Sequence, residues 1–312
     1  MATTLKYPVL GTIHVDGRDN ELDKEMDLYL LRESNVPVQG LQFFVESSAK
    51  TSAFKLSSTS NIIGLPRESE DVDPLPVNQD APGYSMDVTI STHRDSLKIS
   101  RQMRDDDQSG TVMNKAAGLA RANRRFLEYK SADVVNQGFT TDGADDTTLF
   151  ASDHPLENAS YGTWDNLESA AVLSPSSYNT MRMNMRKRKD EVGHVSPIMM
   201  KMLLVSADNE ETAKILSMSG KRPQTANNDA NAWQNLDYMV WDYLTSSTAW
   251  FGWGDLDKDQ WGLHYVVRDK PEVAALPYPT ADYPDIVAGW RSRIRVQMIG
   301  SLLKNMHANA GA

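Results

Sequence analysis

The chain has 312 residues, 40% of them hydrophobic and 24% charged, so it can bury a sizeable core in one large domain or two ordinary ones. It contains no cysteine, which excludes disulfides, zinc–thiolate sites and thiol catalysis. The net charge of −10 argues against a general nucleic-acid binder. It is compatible with a container that must not adhere to DNA, although good solubility is the simpler explanation.

The first residues, "MATTLKYPVLGT", lack the apolar core of a signal peptide. No run in the chain approaches the length of about 18 apolar residues that a membrane helix needs. We therefore expect a soluble protein of intracellular origin that makes no membrane contact. Residues 1–42 are predicted to form an N-terminal arm with a short helix at Glu21–Leu31.

Residues 43–104 contain two strand-like stretches, Thr51–Ser57 and Ser85–Ser100, on either side of a segment rich in proline and carboxylates. The second stretch alternates apolar with polar residues, as an amphipathic strand does. The segment has too few apolar residues to bury a core of its own, and an isolated hairpin is marginal in water. It is therefore either disordered or a long β-hairpin supported by another subunit, and the alternation favours the hairpin.

A long amphipathic helix is predicted over residues 111–138, where Ser109 or Thr111 can cap the start and Gly138 can close the end. At 1.5 Å per residue, its stretch Met113–Gln137 is about 37 Å long, which suits a strut between neighbours better than the wall of a pocket. The carboxylates of Asp105–Asp107 are explained by the positive N-terminal end of this helix, without a bound cation. Its apolar face comprises Met113, Ala116, Ala117, Ala120, Leu127, Val134 and Val135.

A second helix is predicted to begin at Pro175, with Ser174 as its cap. Tyr178, Met181 and Met185 share one of its faces. Its basic end is interpreted as a solvated surface near a helix C-terminus, and a phosphate or partner contact is the less favoured alternative. The residues of this basic end are Arg182, Arg186, Lys187, Arg188 and Lys189.

The remaining chain reads as a buried strand, a helix and then mostly strands. "MKMLLVS" predicts the strand, and "ADNEETAKILSMSG" predicts a helix with a capping box at Asp208 and Glu211 and a stop at Gly220. Aromatic and β-branched runs follow from Asn235 onwards. The whole is predicted to be α+β, with one discontinuous domain that the last strand completes.

The C-terminal run "AGWRSRIRVQMIGSLL" is predicted to be an alternating strand. One of its faces carries arginine, and the other carries small and apolar side chains. The first face comprises Arg291, Arg293 and Arg295, and the second comprises Ser292, Ile294 and Val296.

One motif suggests a hydrolase, because Ser152, Asp153 and His154 are adjacent in "FASDHP". Catalytic triads are assembled from distant positions, and adjacent residues do not normally direct their side chains at one another. A connecting turn is therefore the favoured interpretation, with a hydrolase as the alternative.

A second motif suggests a calcium loop, because Asp255, Asp257 and Asp259 alternate in "DLDKDQWG". An EF-hand would need glycine in place of Gln260 and glutamate in place of Val266. The match therefore fails, and a surface turn is predicted. We predict no catalytic residue, no cofactor site and no metal site in the chain.

The order of these parts resembles the major capsid proteins of tailed bacteriophages with the Hong Kong 97 fold, and in particular the Mu-like major head subunit family. The resemblance is carried by "LFASDHP" after the long helix, by "LLVS" followed by "ETAKIL", by "LDYMVWDYLTSSTAWFGWGD" and by the arginine-alternating strand. It extends over essentially the whole chain.

The resemblance implies a non-enzymatic shell subunit that assembles with itself, as pentamers and hexamers, around double-stranded DNA. The implied parts are an N-terminal arm (1–42), an extended loop (43–104), a peripheral domain (105–190) with the spine helix (111–138), an axial domain (191–285) and a returning C-terminal strand (286–312).

The resemblance further implies a virion location, assembly in the cytoplasm of a host bacterium, and weak, non-specific contact with the packaged DNA. Portal, scaffold and decoration proteins would be separate chains. No scaffolding domain is evident at the N-terminus, so the scaffold is a separate protein or the chain is the mature form. An encapsulin-like compartment that holds a protein cargo is the alternative function.

Overall fold

The computed structural model describes residues 36–59, 82–106, 111–156, 162–190, 193–221, 231, 233, 235–254 and 262–312. The arm helix predicted at Glu21–Leu31 lies outside these ranges. No helix within them is long and apolar enough to cross a membrane. The helices that the structure describes are α1 (Arg101–Asp105), α2 (Thr111–Asn136), α3 (Pro175–Lys187) and α4 (Glu210–Met218), with short 3-10 helices at Gly40–Phe43 and Ala207–Asn209.

The strands form a four-stranded sheet, a five-stranded sheet and two separate strand pairs, so the α+β class predicted from the sequence is confirmed. They are β1 (Phe44–Ser48), β2 (Ala53–Thr59), β3 (Pro82–Thr89), β4 (Ser91–Ser100), β5 (His154–Pro155), β6 (Thr163–Trp164), β7 (Leu167–Glu168), β8 (Met200–Val205), β9 (Asp237–Val240), β10 (Trp250–Gly254), β11 (Leu263–Ala275), β12 (Ile286–Gly300) and β13 (Met306–Asn309). The sheet orders are β1-β11-β12-β4 and β7-β13-β10-β8-β9, and the pairs are β2-β3 and β5-β6.

The chain divides into two compact units, and both are discontinuous in sequence. The sequence predicted one discontinuous domain. The first unit consists of Met1–Phe54, Val88–Ala132 and His264–Ile299, and the second consists of Lys55–Asp87, Asp133–Leu263 and Gly300–Ala312.

In the first unit, α2 packs on one face of the four-stranded sheet. Leu119 and Ala120 of the helix form a buried cluster with Ile99 of β4 and Trp290 of β12. The predicted alternation of β12 is confirmed, because its small and apolar residues are buried while Arg291 is exposed. The hydroxyl of buried Ser292 lies 2.6 Å from Asn123 Oδ1 of α2, which adds a polar link between the two layers.

The long helix is confirmed as α2. The glycine after its C-terminus, Gly138, is required for a different reason from the predicted one, which was to close the helix. The helix ends at Asn136, and the N–H of Gly138 donates to the Val135 carbonyl at 3.1 Å. A Cβ at position 138 would lie 2.6 Å from Phe150 Cε2, so glycine is needed for the close approach of this ring. Met113, Ala116 and Ala117 belong to the predicted apolar face, but their side chains are not among those that the structure describes.

The hairpin is shorter than the segment 43–104. Strands β2 and β3 pair with each other, whereas β1 and β4 are the two outer strands of the four-stranded sheet. The predicted stretch Ser85–Ser100 is therefore two strands. They break at Ile90, whose N–H donates to the Ser52 carbonyl at 2.8 Å.

In the second unit, α3 packs its predicted apolar face on the five-stranded sheet. Met181 and Met185 are buried in one cluster with Leu203 and Trp250. Gly252 of β10 leaves room for this packing, because a Cβ there would lie 2.9 Å from the sulfur of Met181. The predicted cap of α3 is also confirmed: Ser174 and Ser177 form a reciprocal capping box, with Pro175 in the first turn.

One local prediction for the second unit is wrong, and one of its strands is missing from the sequence prediction. The capping box at Asp208 and Glu211 is wrong, since Ala207–Asn209 form a 3-10 turn and Asn209 donates its amide to the Ser247 carbonyl at 3.0 Å. The sequence also gave no sign of β13, which is buried throughout and lies between β7 and β10.

Candidate functional site

The three adjacent residues that suggested a hydrolase do not form a site. Ser152 and Asp153 are exposed, whereas His154 is fully buried. Nδ1 of His154 lies 2.7 Å from Asp145 Oδ2, and Nε2 lies 3.1 Å from Asn166 Oδ1. Both ring nitrogens are thus engaged by buried oxygen atoms, and neither faces a nucleophile.

Asn166 is the centre of this buried cluster. Its Nδ2 donates to the Leu149 carbonyl at 2.7 Å, and its Oδ1 accepts the N–H of Ala151 at 2.9 Å. The ring of Trp164 stacks on that of His154, with centroids 4.2 Å apart and planes 12° apart. The cluster therefore holds together the loops between residues 145 and 166, and the Leu303 carbonyl, 3.4 Å from Asn166 Nδ2, adds the C-terminal segment. This is a structural role. Asp145 and Asn166 lie in polar loops and gave no sequence signal of burial.

A second buried cluster surrounds Arg188, at the end of α3. Its guanidinium donates to the carbonyls of Asp165, at 3.0 Å, and Lys304, and lies 3.0 Å from His307 Nδ1. On the other side of that ring, Nε2 lies 3.2 Å from Glu168 Oε1. The prediction of a solvated basic face is therefore wrong for Arg188, although the side chains of Arg186, Lys187 and Lys189 are exposed.

The charges of this cluster depend on one another. Burial lowers the pKa of Arg188 to about 10, so the guanidinium stays charged at neutral pH. Burial also lowers the pKa of His307, and the adjacent Arg188 acts in the same direction. Burial acts to raise the pKa of Glu168, but hydrogen bonds from His307 and Asn184 outweigh it and lower that pKa. The cluster is thus arranged for a neutral imidazole between a cation and a carboxylate.

A cation site is not supported by the described residues. No group of three or more His, Asp or Glu side chains among them could hold a metal ion. The calcium-like motif at Asp255, Asp257 and Asp259 lies outside the described ranges, as does Asp107.

The face of the four-stranded sheet opposite α2 carries arginines from two strands. Arg94 of β4 lies directly opposite Arg293 of β12. Asp269 neutralises part of this face, because its Oδ2 lies 3.2 Å from Arg293 Nη2 and 3.7 Å from Arg295 Nη1. Arg291 is exposed.

The β2–β3 hairpin has little buried surface. Among its residues with described side chains, 53–56 and 83–89, Val88 alone is buried. Tyr84 is half-buried and packs on the cluster of Leu156, Trp164 and Leu302. The root of the hairpin is held by Phe54, which packs on Ala49, Ile90 and Val266. The hydroxyl of Tyr84 donates to the Pro155 carbonyl at 3.0 Å.

Comparison with known proteins identifies the family. A family model described as "Phage capsid protein" matches residues 83–297, which is more than half of the chain. No curated protein matches the sequence.

Solved structures show the same fold at low sequence identity. The asymmetric unit of the bacteriophage PhiM1 mature capsid has a TM-score of 0.56 and 9% identity, over 97% of this chain and 91% of that chain. A structure of Microbacterium phage Oxtober96 has a TM-score of 0.53 and 9% identity, over 97% and 96%. The virus-like particle from Pyrococcus furiosus has a TM-score of 0.51 and 10% identity, over 93% and 100%.

The matched family accounts for both findings on the described residues: Ser152–His154 form no catalytic geometry, and the β2–β3 hairpin buries few side chains. The family is one of structural capsid proteins rather than enzymes. The chain belongs to the phage capsid protein family.

Proposed function

We propose that this chain is the major head protein of a tailed phage. Copies of it assemble as pentamers and hexamers into an icosahedral shell that encloses a double-stranded DNA genome. The shell is built in the cytoplasm of the host bacterium and becomes the capsid of the virion. The order of motifs around "LFASDHP" supports the Mu-like head subunit family as the subfamily.

The observation that carries this proposal is the β2–β3 hairpin. Apart from Val88, its described side chains are exposed or half-buried, and Tyr84 gives it one packing contact, with the cluster of Leu156, Trp164 and Leu302. Within the described residues it pairs with no third strand. A two-stranded hairpin without a core is marginal in water. A second copy of the chain would supply the missing contact, and a closed shell gives the same contact to every copy.

The division into capsid parts remains a proposal. Residues 1–42 would be the arm, 43–104 the extended loop, 105–190 the peripheral domain, 191–285 the axial domain and 286–312 the returning strand. The presence of α2 supports a spine helix within 111–138. Helix α3 falls in the compact unit that also contains residues 191–263, which favours counting it with the axial domain.

We also propose the partners of this shell. Scaffold, portal and decoration proteins would be separate chains. The contact with packaged DNA would be weak and independent of sequence, because the chain is acidic overall.

Electron microscopy of the purified protein tests the proposal. The wild-type chain should form closed shells, and nuclease-protected DNA inside particles from infected cells should separate a phage head from a compartment with protein cargo. Replacing residues 56–86 by a short Gly–Ser turn should abolish shells while the subunit still unfolds cooperatively.

The matched control is Tyr84→Phe, which keeps the hairpin and removes the hydroxyl that contacts Pro155. It should assemble as the wild type does. Shells of wild-type stability from the shortened chain would contradict the role of the hairpin, and a wild-type chain that stays monomeric would contradict the function itself.

A further inference from the structure

A group of arginines lies on the face of the four-stranded sheet that points away from α2. Buried Ser292 contacts Asn123 of α2, so the residues on either side of it in β12 point to the opposite face. Residues two apart in a strand are separated by about 6.6 Å, so the group extends over about 13 Å of β12. We call it the arginine patch; it comprises Arg94 of β4 and Arg291, Arg293 and Arg295 of β12.

The centre of the arginine patch is a repulsive pair. Arg94 lies directly opposite Arg293, and like charges in such a cross-strand pair destabilise a sheet. A charged residue on the outer strand β4 can be explained as protection of the sheet edge. That explanation does not extend to β12, which is an inner strand. A local conflict of this kind is typical of functional surfaces, where another group offsets it.

The arginine patch has more positive than negative charge. Asp269 of β11 is shared between two of its members, because Oδ2 lies 3.2 Å from Arg293 Nη2 and 3.7 Å from Arg295 Nη1. Arg94 and Arg291 are exposed, and neither has an ion-pair partner within the described part of the chain. The patch therefore presents four guanidinium groups against one paired carboxylate.

The neighbouring carboxylate of β4 does not neutralise the patch. Asp95 lies opposite Ser292 in the pairing with β12, so it belongs to the side of the sheet that faces α2. Its Oδ1 accepts the N–H of Ser96 at 2.8 Å. The charge of Asp95 is thus directed at its own strand.

The chain itself contains a segment with the opposite balance of charge. This segment, Arg67–Asp73 or "RESEDVD", lies in the connection between β2 and β3 and has four carboxylates and one arginine. The numbers of opposite charges in the segment and in the arginine patch therefore match. Its carboxylates also occur two residues apart, as the arginines of β12 do: Glu68 with Glu70, and Asp71 with Asp73.

Two observations favour this segment over the phosphate backbone of DNA. Asp269 lies within the arginine patch, where its carboxylate would repel a phosphate but could pair with Arg67 of the segment. In addition, copies of a chain with a net charge of −10 repel one another, so a stable contact between them has to bring opposite local charges together.

The segment is also connected to the hairpin that buries few of its own side chains. Strands β2 and β3 have seven and eight residues, so they extend over about 20 Å from the root of the hairpin. The proposed function assigns this hairpin to a contact with a second copy. The arginine patch supplies a surface of matching charge on that copy.

We propose that the arginine patch binds the carboxylates of residues 68–73 from a second copy of the chain. The inference rests on the proposed function and names the surface that receives the hairpin. A guanidinium group binds a carboxylate through two parallel N–H donors, so the contact sets orientation as well as proximity. Each exposed ion pair is weak alone, but a closed shell repeats the contact in every copy.

The test exchanges the charges of the two surfaces. The patch variant is Arg94→Glu with Arg291→Glu, and the segment variant is Glu68→Lys with Glu70→Lys. Each should raise the subunit concentration needed for shell formation by at least about tenfold, because repulsion replaces attraction at two positions. The chain with all four substitutions should assemble at close to the wild-type concentration. If it assembles no better than the two variants do, the inference is wrong.

The patch variant should keep its fold, because Arg94→Glu converts the repulsive pair with Arg293 into an attractive one. Its melting temperature should equal or exceed that of the wild type. The matched control for the segment is Asp23→Lys with Asp27→Lys, which makes the same change of charge in another acidic part of the chain. If this control restores assembly of the patch variant, the N-terminal residues are the partner and the inference is overturned.

Mixing the patch variant with the segment variant tests whether the contact joins two copies. In an equimolar mixture, each segment meets an arginine patch of opposite charge on the other chain, so assembly should recover in part. A contact within one chain is not recovered by mixing, so an absence of recovery counts against the inference.

Peptide binding separates this inference from the proposed function. A fluorescent peptide of residues 66–75 is added to the unassembled segment variant, whose own segment no longer competes. The peptide should bind, and adding Arg94→Glu and Arg291→Glu should weaken its affinity at least about tenfold. This result with a wild type that forms no shells would refute only the proposed function. Wild-type shells with equal peptide affinity for both chains would refute only the inference.

A DNA contact is the remaining outcome. If the patch variant forms shells as the wild type does but loses binding to a 30-base-pair DNA duplex, the arginine patch meets phosphates and the inference is wrong. Unchanged DNA binding together with impaired shells supports the contact between copies.

Discussion

Replacing Asn166 by alanine should destabilise the second unit strongly, because this one amide satisfies several buried groups. Its Nδ2 donates to the carbonyls of Leu149, at 2.7 Å, and Leu303, at 3.4 Å. Its Oδ1 accepts the N–H of Ala151 at 2.9 Å and lies 3.1 Å from His154 Nε2. The side chain is fully buried, so water cannot replace these partners without entering the core.

The expected loss follows from the three shorter contacts. A net hydrogen bond contributes about 1 kcal/mol, so the free energy of unfolding should fall by about 3 kcal/mol. This figure is a lower bound, because each buried group left unpaired costs about 1–3 kcal/mol. For a unit of this size, about 2–4 °C per kcal/mol converts 3 kcal/mol into a fall of about 6–12 °C in the melting temperature.

Thermal unfolding of the unassembled subunit, followed by tryptophan fluorescence, measures the effect. Trp164 is a suitable reporter because its ring stacks on His154. The matched control is Asn179→Ala, at a helix position where the amide lies 3.9 Å from the sulfur of Met183. That variant should change the free energy of unfolding by less than about 0.5 kcal/mol. Equal melting temperatures for the two variants would refute the idea that the cluster stabilises this unit.

Three further predictions concern other contacts. Gly138→Ala should lower the free energy of unfolding by about 1–3 kcal/mol, because the added Cβ would overlap the ring of Phe150. An unchanged melting temperature would contradict this packing. Acidification below pH 6.5 should lower the free energy of unfolding measured in urea, because His307 binds a proton more readily in the unfolded chain than in the folded one, where its pKa is lowered. A further loss should follow below pH 4.5, because the pKa of Glu168 is also lower in the folded chain, so its carboxylate takes up a proton first in the unfolded chain. A flat profile between pH 7 and 5 would count against the neutral imidazole. Glu128→Ala should cost about 2–4 kcal/mol and speed proteolysis before β1, whereas Glu128→Gln, which keeps one acceptor, should lose less.

The sequence predicted those parts of the fold that depend on local periodicity. Helix α2, the capped start of α3 and the alternating strand β12 each repeat a pattern over many residues, and each is confirmed. These patterns are strong because one face of each element is buried over most of its described length.

Predictions failed where contacts that form only in the folded chain decide the outcome. Arg188 reads as one more cation in a basic run, but it is buried, and its guanidinium donates to the carbonyls of Asp165 and of Lys304, which is 116 residues away. His154 reads as part of a connecting turn, and only the fold brings Asp145 and Asn166 to its two nitrogens. Strand β13 is too short to show a period. It is buried because it lies between β7 and β10 and because elements from other parts of the chain, such as the end of α3 with Arg188, pack on it.

The strand order of the first unit has a consequence for how fast subunits become available. In the pairing of β4 with β12, Arg94 lies opposite Arg293, almost two hundred residues further along the chain. Contacts between residues so far apart in sequence close large loops, and proteins that depend on them fold slowly. Until the partner strand pairs, the unpaired edge of the sheet is exposed and can promote aggregation. While it is being synthesised, this sheet cannot close until β12 has emerged. We therefore expect the supply of assembly-competent subunits, and with it the number of heads that a cell can build, to depend on folding rate and chaperone capacity.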